Sequence, residues 1–172
     1  IEAMTMADRI VLLRDGRIEQ AGAPLDLFEH PATKYDAGFL GSPSMNFVNA
    51  TLVAADGGLA VRLGDGSLLA LAPGRQDRLA GKRDQPIILG LRPEHMSRAV
   101  QGDARTGLAR YNANIELLQP TGSRTYATFK LGGTEMIAEL QAHDVTEINQ
   151  RVELTANMNR AVIIDPSNER VL

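Results

Sequence analysis

The chain contains no cysteine and no tryptophan, and only four phenylalanines and three tyrosines among its 172 residues. Without cysteine there is neither a disulfide nor a thiolate metal site, a composition compatible with a reducing compartment. A groove that stacks single-stranded bases needs basic walls interleaved with aromatics. A formal charge of −3 and so few aromatic rings argue against one, so nucleic acid is not expected as a partner. No apolar run approaches the length of a membrane span, and the first residues do not form a signal peptide. Catalytic motifs are missing as well: there is no G-x-x-x-x-G-K-[ST] phosphate loop, no G-x-S-x-G elbow and no HExxH or H-x₃₋₅-H spacing. His30, His95 and His143 lie too far apart to form a local metal motif, and no nucleophile–base pair can be proposed. The expectation is a chain that is not an enzyme by itself, with no catalytic, cofactor-binding or metal residues.

What is present is ordinary globular composition, 44% hydrophobic and 23% charged, enough for one or two domains. The opening Ile1-Glu2-Ala3-Met4-Thr5-Met6-Ala7 is made mostly of helix formers with no N-cap and no initiator Met, which reads as a fragment entering in mid-helix. The apolar run Ile10–Leu13, then Asp15-Gly16, then Arg17–Gln20 predicts a hairpin, since glycine accepts the positive φ of a type I′ turn. Pro24 suits the first turn of a helix carrying Leu25 and Phe28, and Pro31 ends it. A second short helix pairs Tyr35 with Phe39 at i, i+4 and stops near Gly41. Ser42-Pro43-Ser44-Met45-Asn46 has turn composition, and a domain boundary is placed there, dividing 1–42 from 43–172.

Beyond it the pattern turns to β. Alternation predicts strands at residues 59–63, 67–71, 87–91, 113–117, 126–131, 135–140, 152–154 and 162–164, with Asp65-Gly66 and Gly132-Gly133 as hairpin turns and Met96–Thr106 as a loop. About eight short strands at this spacing suit a sandwich or barrel, and a five-stranded Greek-key barrel of the OB type with extra strands fits first. Gly57-Gly58 also falls between strands and reads as a turn, not a phosphate cradle.

The stretch Ile87–His95 joins strand and polar corner. Ile87, Leu89 and Leu91 share one face of a half-buried strand, and Pro93, which cannot donate to a ladder, stops the strand where Arg92, Glu94 and His95 begin. Binding groups are often placed at such a strand end. From physics alone the simpler reading of the same residues is a corner whose Arg92–Glu94 pair satisfies itself, since surface ion pairs are common and weak.

Glu2–Ile10, Asp15–Gln20 with Gly22, Pro24, Pro31–Gly41 and Ser42–Phe47 resemble the end of the nucleotide-binding subunit of sugar-type ABC importers. That family includes the maltose transporter ATPase and its glycerol-3-phosphate and multiple-sugar relatives. Gly90-Leu91-Arg92-Pro93-Glu94-His95 is similar to a signature of the family's C-terminal regulatory domain, and Gln119–Ser123 resembles its turn before a strand. Asp36 and Thr121 depart from the pattern, standing where the family commonly has an apolar residue and Leu.

The resemblance implies a mainly β chain: an OB-like β-barrel regulatory domain at 43–172, preceded by a short α/β remnant of the ABC ATPase domain at 1–42. It implies that the phosphate loop, signature motif, Walker B acid and switch histidine, with their ATP and Mg, belong to the intact parent and not to this stretch, which holds no cofactor. It also implies a homodimer, permease subunits and a sugar-pathway regulatory protein as partners, and a place on the inner face of the bacterial cell membrane. Arg92, Pro93, Glu94 and His95 become candidates for a regulatory or dimer contact. The competing function is a stand-alone β-barrel binding module for a small anion or oligomeric ligand.

Overall fold

A computed structural model describes residue 4 and residues 6–172. The helix expected over residues 1–7 lies partly outside the described residues; Met4 and Met6 are helical. A hairpin of β1 (Ile10–Arg14) and β2 (Arg17–Gly22) follows, turned by Asp15 and Gly16 at φ 51° and 75°, as the Asp-Gly pair predicts. Two short helices come next, α1 (Pro24–Glu29) and α2 (Lys34–Phe39). Thr33 caps α2, its hydroxyl oxygen accepting the Asp36 N–H at 3.2 Å. Tyr35 and Phe39 stack across one turn of α2 with ring centroids 5.7 Å apart.

The remaining strands are β3 (Asn46–Ala55), β4 (Gly58–Leu63), β5 (Leu68–Ala70), β6 (Pro86–Leu91), β7 (Met96–Arg98), β8 (Leu108–Asn114), β9 (Leu117–Pro120), β10 (Arg124–Leu131), β11 (Thr134–Gln141), β12 (Arg151–Asn157) and β13 (Val162–Ile164). One short helix, α3 (Gln76–Leu79), flanked by 3₁₀ turns, lies between β5 and β6. The strands form an antiparallel five-stranded sheet ordered β13-β6-β3-β4-β5 and two three-stranded sheets, β7-β12-β8 and β11-β10-β9. Their inner faces share one core that includes Leu52, Val61, Leu89, Met96, Ile115, Phe129, Met136 and Leu154. Asn46 ties two sheets together: its amide donates to the carbonyls of Leu91 and Ile137, and its oxygen accepts the Ile137 N–H.

Four sequence expectations are corrected. The strand expected over 113–117 is two strands in different sheets, because the chain bends where Ile115 donates to Gln150 and Glu116 donates to Thr128. Alternation of apolar residues survives such a bend, so periodicity alone does not reveal it; Leu117, beyond the bend, is exposed. Met96–Arg98, expected in a loop, pairs with β12 and buries Met96. The long strand β3, opening the β region, was not expected at all, and with β7 and β9 it brings the strands after residue 42 from about eight to eleven among the described residues. Finally, β6 is buried on both faces. Ile87, Leu89 and Leu91 enter the main core as expected, while Ile88 packs on the other side with Ala37, Met45, Val162 and Ile164. That second layer exists because α2 lies across the outside of the sheet.

Candidate functional site

The described residues up to 42 are laid against the β body by side chains and backbone from four segments. A small cluster of Ile10, Leu12, Leu27 and Leu40 fills the inside of the hairpin and helices. Backbone bonds run from Lys34 N–H to the Glu169 carbonyl at 2.9 Å and from Val171 N–H to the Ala32 carbonyl at 3.0 Å. Ion pairs Lys34–Glu169 (3.7 Å) and Arg160–Glu29 (3.3 Å) flank them on the surface.

Arg92 stands at the centre of this junction. β6 delivers it, and Pro93 turns the chain into a 3₁₀ turn, Pro93–His95, closed by the His95 N–H on the Arg92 carbonyl at 3.0 Å. Arg92 is 2% exposed; its Nη1 donates to the Leu40 carbonyl at 2.7 Å and Nη2 to the Phe28 carbonyl at 2.9 Å. It also lies over the Phe28 ring, 3.8 Å from its centroid. Both acceptors are carbonyls at the ends of short helices, where unpaired lone pairs and the helix dipole favour a cation. Burial holds the Arg92 pKa below its ordinary value, opposed by Glu94, but an arginine remains charged throughout.

The four corner residues therefore separate. Arg92 and Pro93 are buried and act within the chain. Glu94 is exposed and makes no ion pair with Arg92 among the described residues. His95 is half-buried; burial lowers its pKa, with Glu94 opposing and Arg160 and Arg92 acting in the same direction as burial. Its Nδ1 is buried without a hydrogen-bond partner.

Beside this corner, between the Phe28–Ala32 segment and the β body, a cleft of about 580 Å³ opens. Five arginines line it: Arg75, Arg78, Arg92, Arg160 and Arg170. Only Arg92 belonged to a recognisable motif. The others are brought together from the α3 region, the turn before β13 and the C-terminus, and no local spacing could have announced them. Among the described residues, no group of three His, Cys, Asp or Glu side chains could hold a metal ion, and no helix is long and apolar enough to cross a membrane.

A second feature concerns the hairpin's outer face. Ile10 and Leu12 point into the small cluster, whereas Val11 and Leu13 are 48% and 58% exposed. With Met6, Ile18, Leu25 and Phe39 they account for six of the ten exposed large hydrophobics among the described residues, a concentration in the first quarter of the chain that scattered surface apolars would not give.

The family model described as the MalK OB fold domain matches residues 41–96. An ABC transporter ATP-binding protein of Sinorhizobium fredii, y4oS, is 38% identical over 167 residues, covering 97% of this chain and 42% of that protein. The multiple sugar-binding transport ATP-binding protein MsmK of Streptococcus mutans is 35% identical over 183 residues, covering 99% and 48%. The sn-glycerol-3-phosphate import ATP-binding protein UgpC of Chromobacterium violaceum is 35% identical over 170 residues, covering 99% and 43%. Among solved structures, the cytoplasmic molybdate-binding protein ModG with molybdate bound has a TM-score of 0.54 at 13% identity, covering 69% of this chain and 94% of that one, a likeness of fold alone. The chain spans somewhat under half the length of these curated relatives. Over nearly all of its own length the chain is similar to these ATP-binding subunits of sugar-type ABC importers, and it carries the OB-like β domain of that family.

Proposed function

We propose that this chain is the regulatory and dimerising portion of a subunit that couples ATP hydrolysis to import of a sugar or related solute. In this reading residues 1–42 complete the ATPase domain, and residues 43–172 form the regulatory domain. What supports it beyond the family match is the apolar outer face of the hairpin and its helices: Val11, Leu13, Ile18, Leu25 and Phe39 are the surface on which the rest of an ATPase domain would pack. ATP and Mg would be bound by that remaining part, which brings the phosphate loop and metal-holding acid. Two copies would meet through their β domains, with permease subunits and a sugar-pathway regulatory protein as further partners, at the inner face of the cell membrane. Of the corner residues, Glu94 and the open side of His95 are the ones available for a dimer or regulatory contact, since Arg92 and Pro93 are buried. A stand-alone binding module is not favoured, because the match to transporter subunits extends through the first 42 residues as well as the β domain.

The test compares the 172-residue chain with the complete subunit encoded around it. Magnesium-dependent ATP turnover should belong to the complete subunit alone, because a γ-phosphate is cradled by a glycine-rich loop, a lysine and bound metal. Sedimentation of both across a concentration series should show a dimer held in part by the β domain. Turnover by the 172-residue chain itself, persisting after a contaminant control, would overturn the reading.

A further inference from the structure

The cleft beside His95 is built for negative charge. Against its five arginines stands one carboxylate side chain, Glu29. Arg92 is fully engaged with Leu40 and Phe28, Arg160 is held by Glu29, and Arg75 spends Nη1 on the Ala161 carbonyl. Arg78 and Arg170 are different: both are exposed, and neither side chain has a hydrogen bond or ion pair among the described residues. They sit on opposite stretches of sequence, yet face one concavity. Such an arrangement is unfavourable when empty. Burial, and secondarily the like charge of Arg78, holds the Arg75 pKa below the ordinary arginine value. The buried, unpartnered Nδ1 of His95 on the same wall is a second group lacking a counterpart.

We propose that this cleft binds a small phosphorylated metabolite, a phosphomonoester or diphosphate on a neutral body of sugar size. Guanidinium forks match phosphoryl oxygens in pairs, and a dianion satisfies two free arginines at once where a single carboxylate cannot. A concave wall focuses the field of its charges, which distinguishes this cluster from arginines scattered over a convex surface. The volume, about 580 Å³, exceeds what a bare ion fills and lies in the usual range for small-molecule sites. Met45, Val162 and Val171 provide an apolar strip for the rest of the ligand. A polynucleotide is disfavoured because the chain carries net charge −3. Because Phe28–Ala32 form one wall and the β body the other, an occupant would bridge the two parts of the chain and tighten their docking. The inference stands independently of the transport reading.

Calorimetric titration of the 172-residue chain with glucose 6-phosphate, inorganic pyrophosphate and inorganic phosphate tests it, with glucose and equal ionic strength of KCl as controls. Expected is saturable one-site binding of at least one of the two larger phosphates with Kd below about 1 mM, weakening as salt rises, together with an increase in Tm. Glucose and KCl should give neither. Amide shifts on titration should concentrate at Ala32, Asn159–Val162 and Arg170–Leu172. The double variant Arg78→Gln/Arg170→Gln, which removes two side chains with no partners in the fold, should keep the Tm of the unliganded protein and weaken binding at least about tenfold. No saturable signal with any phosphate, equal binding by the double variant, or shifts elsewhere on the surface would each overturn the proposal.

Discussion

Replacing Arg92 by methionine keeps the length of the side chain and removes its fork, and the cost can be worked from the contacts. Two charge-assisted bonds, to Leu40 and Phe28, contribute about 1.5–3 kcal/mol each, and the contact with the Phe28 ring about 0.5–2. Against these stands the desolvation of the guanidinium of a residue only 2% exposed, which the methionine variant recovers. The two carbonyls then decide the outcome. That of Leu40 is buried and stays unpaired, a penalty of about 2 kcal/mol; that of Phe28 is partly open and can take a water, leaving about 0.5–1. The expected loss is about 3 kcal/mol, a fall in Tm of roughly 6–12 °C for a chain of this size. Arg92→Lys retains a charge but can serve only one carbonyl well, so it should lose about half as much.

Thermal and urea unfolding give the global cost, and amide exchange locates it. Leu27, His30, Ala37 and Leu40 donate to backbone carbonyls within the helical segments, and their exchange should accelerate in both variants before that of Phe129 or Leu154 in the core. Glu94→Gln, one residue past the adjacent proline and exposed, should stay within about 0.5 kcal/mol of the parent. Methionine tolerated at position 92 within that same margin, with unchanged exchange over residues 24–40, would refute the idea that this arginine holds the two parts together.

Other consequences are as direct. Asp36 is fully buried, and burial raises its pKa, hydrogen bonding by the Thr33 side chain and nearby amides opposing and Glu19 adding to the rise. The native state therefore holds its proton more tightly than the unfolded chain, so stability falls as pH rises from about 4 through the raised native value, and is constant beyond. Asp36→Asn should gain stability at pH 7 and none below about pH 4, and an equal difference at both pH values would count against the assignment. In the β10–β11 turn, Gly132 has φ +60° and an added Cβ would come within 2.7 Å of the Leu63 Cβ, whereas Gly133 at φ +82° faces open space. Gly132→Ala should cost about 2–5 kcal/mol and Gly133→Ala about 1–2, read as urea midpoints at constant m. If Glu94 contributes to pairing of two copies, Glu94→Arg should weaken the dimer in sedimentation while leaving monomer Tm unchanged; unaltered dimer affinity would remove it from the contact.

Much of the fold was legible because turns and alternation are local. Asp15-Gly16 and Gly132-Gly133 impose positive φ wherever they occur, and the strands beside them follow from the turn. The missed elements are those decided at a distance. Met96–Arg98 carries too few residues to show a period and becomes a strand only because β12 offers an edge. β6 reads as half-buried because alternation reports one apolar face; the second is covered by α2, whose position depends on Arg92 and on the C-terminal segment around Glu169 and Val171. The corner illustrates the same limit for function. Arg-Pro-Glu-His was visible as a polar cluster at a strand end, but whether Arg92 would meet Glu94, a second copy or the chain's own carbonyls depended on Phe28 and Leu40, 64 and 52 residues away. Charge in a sequence has no direction until the fold supplies neighbours. For Arg92 the neighbours are two helix-end carbonyls, which makes it an internal tie, whereas Arg78 and Arg170, without a side-chain partner among the described residues, line the cleft.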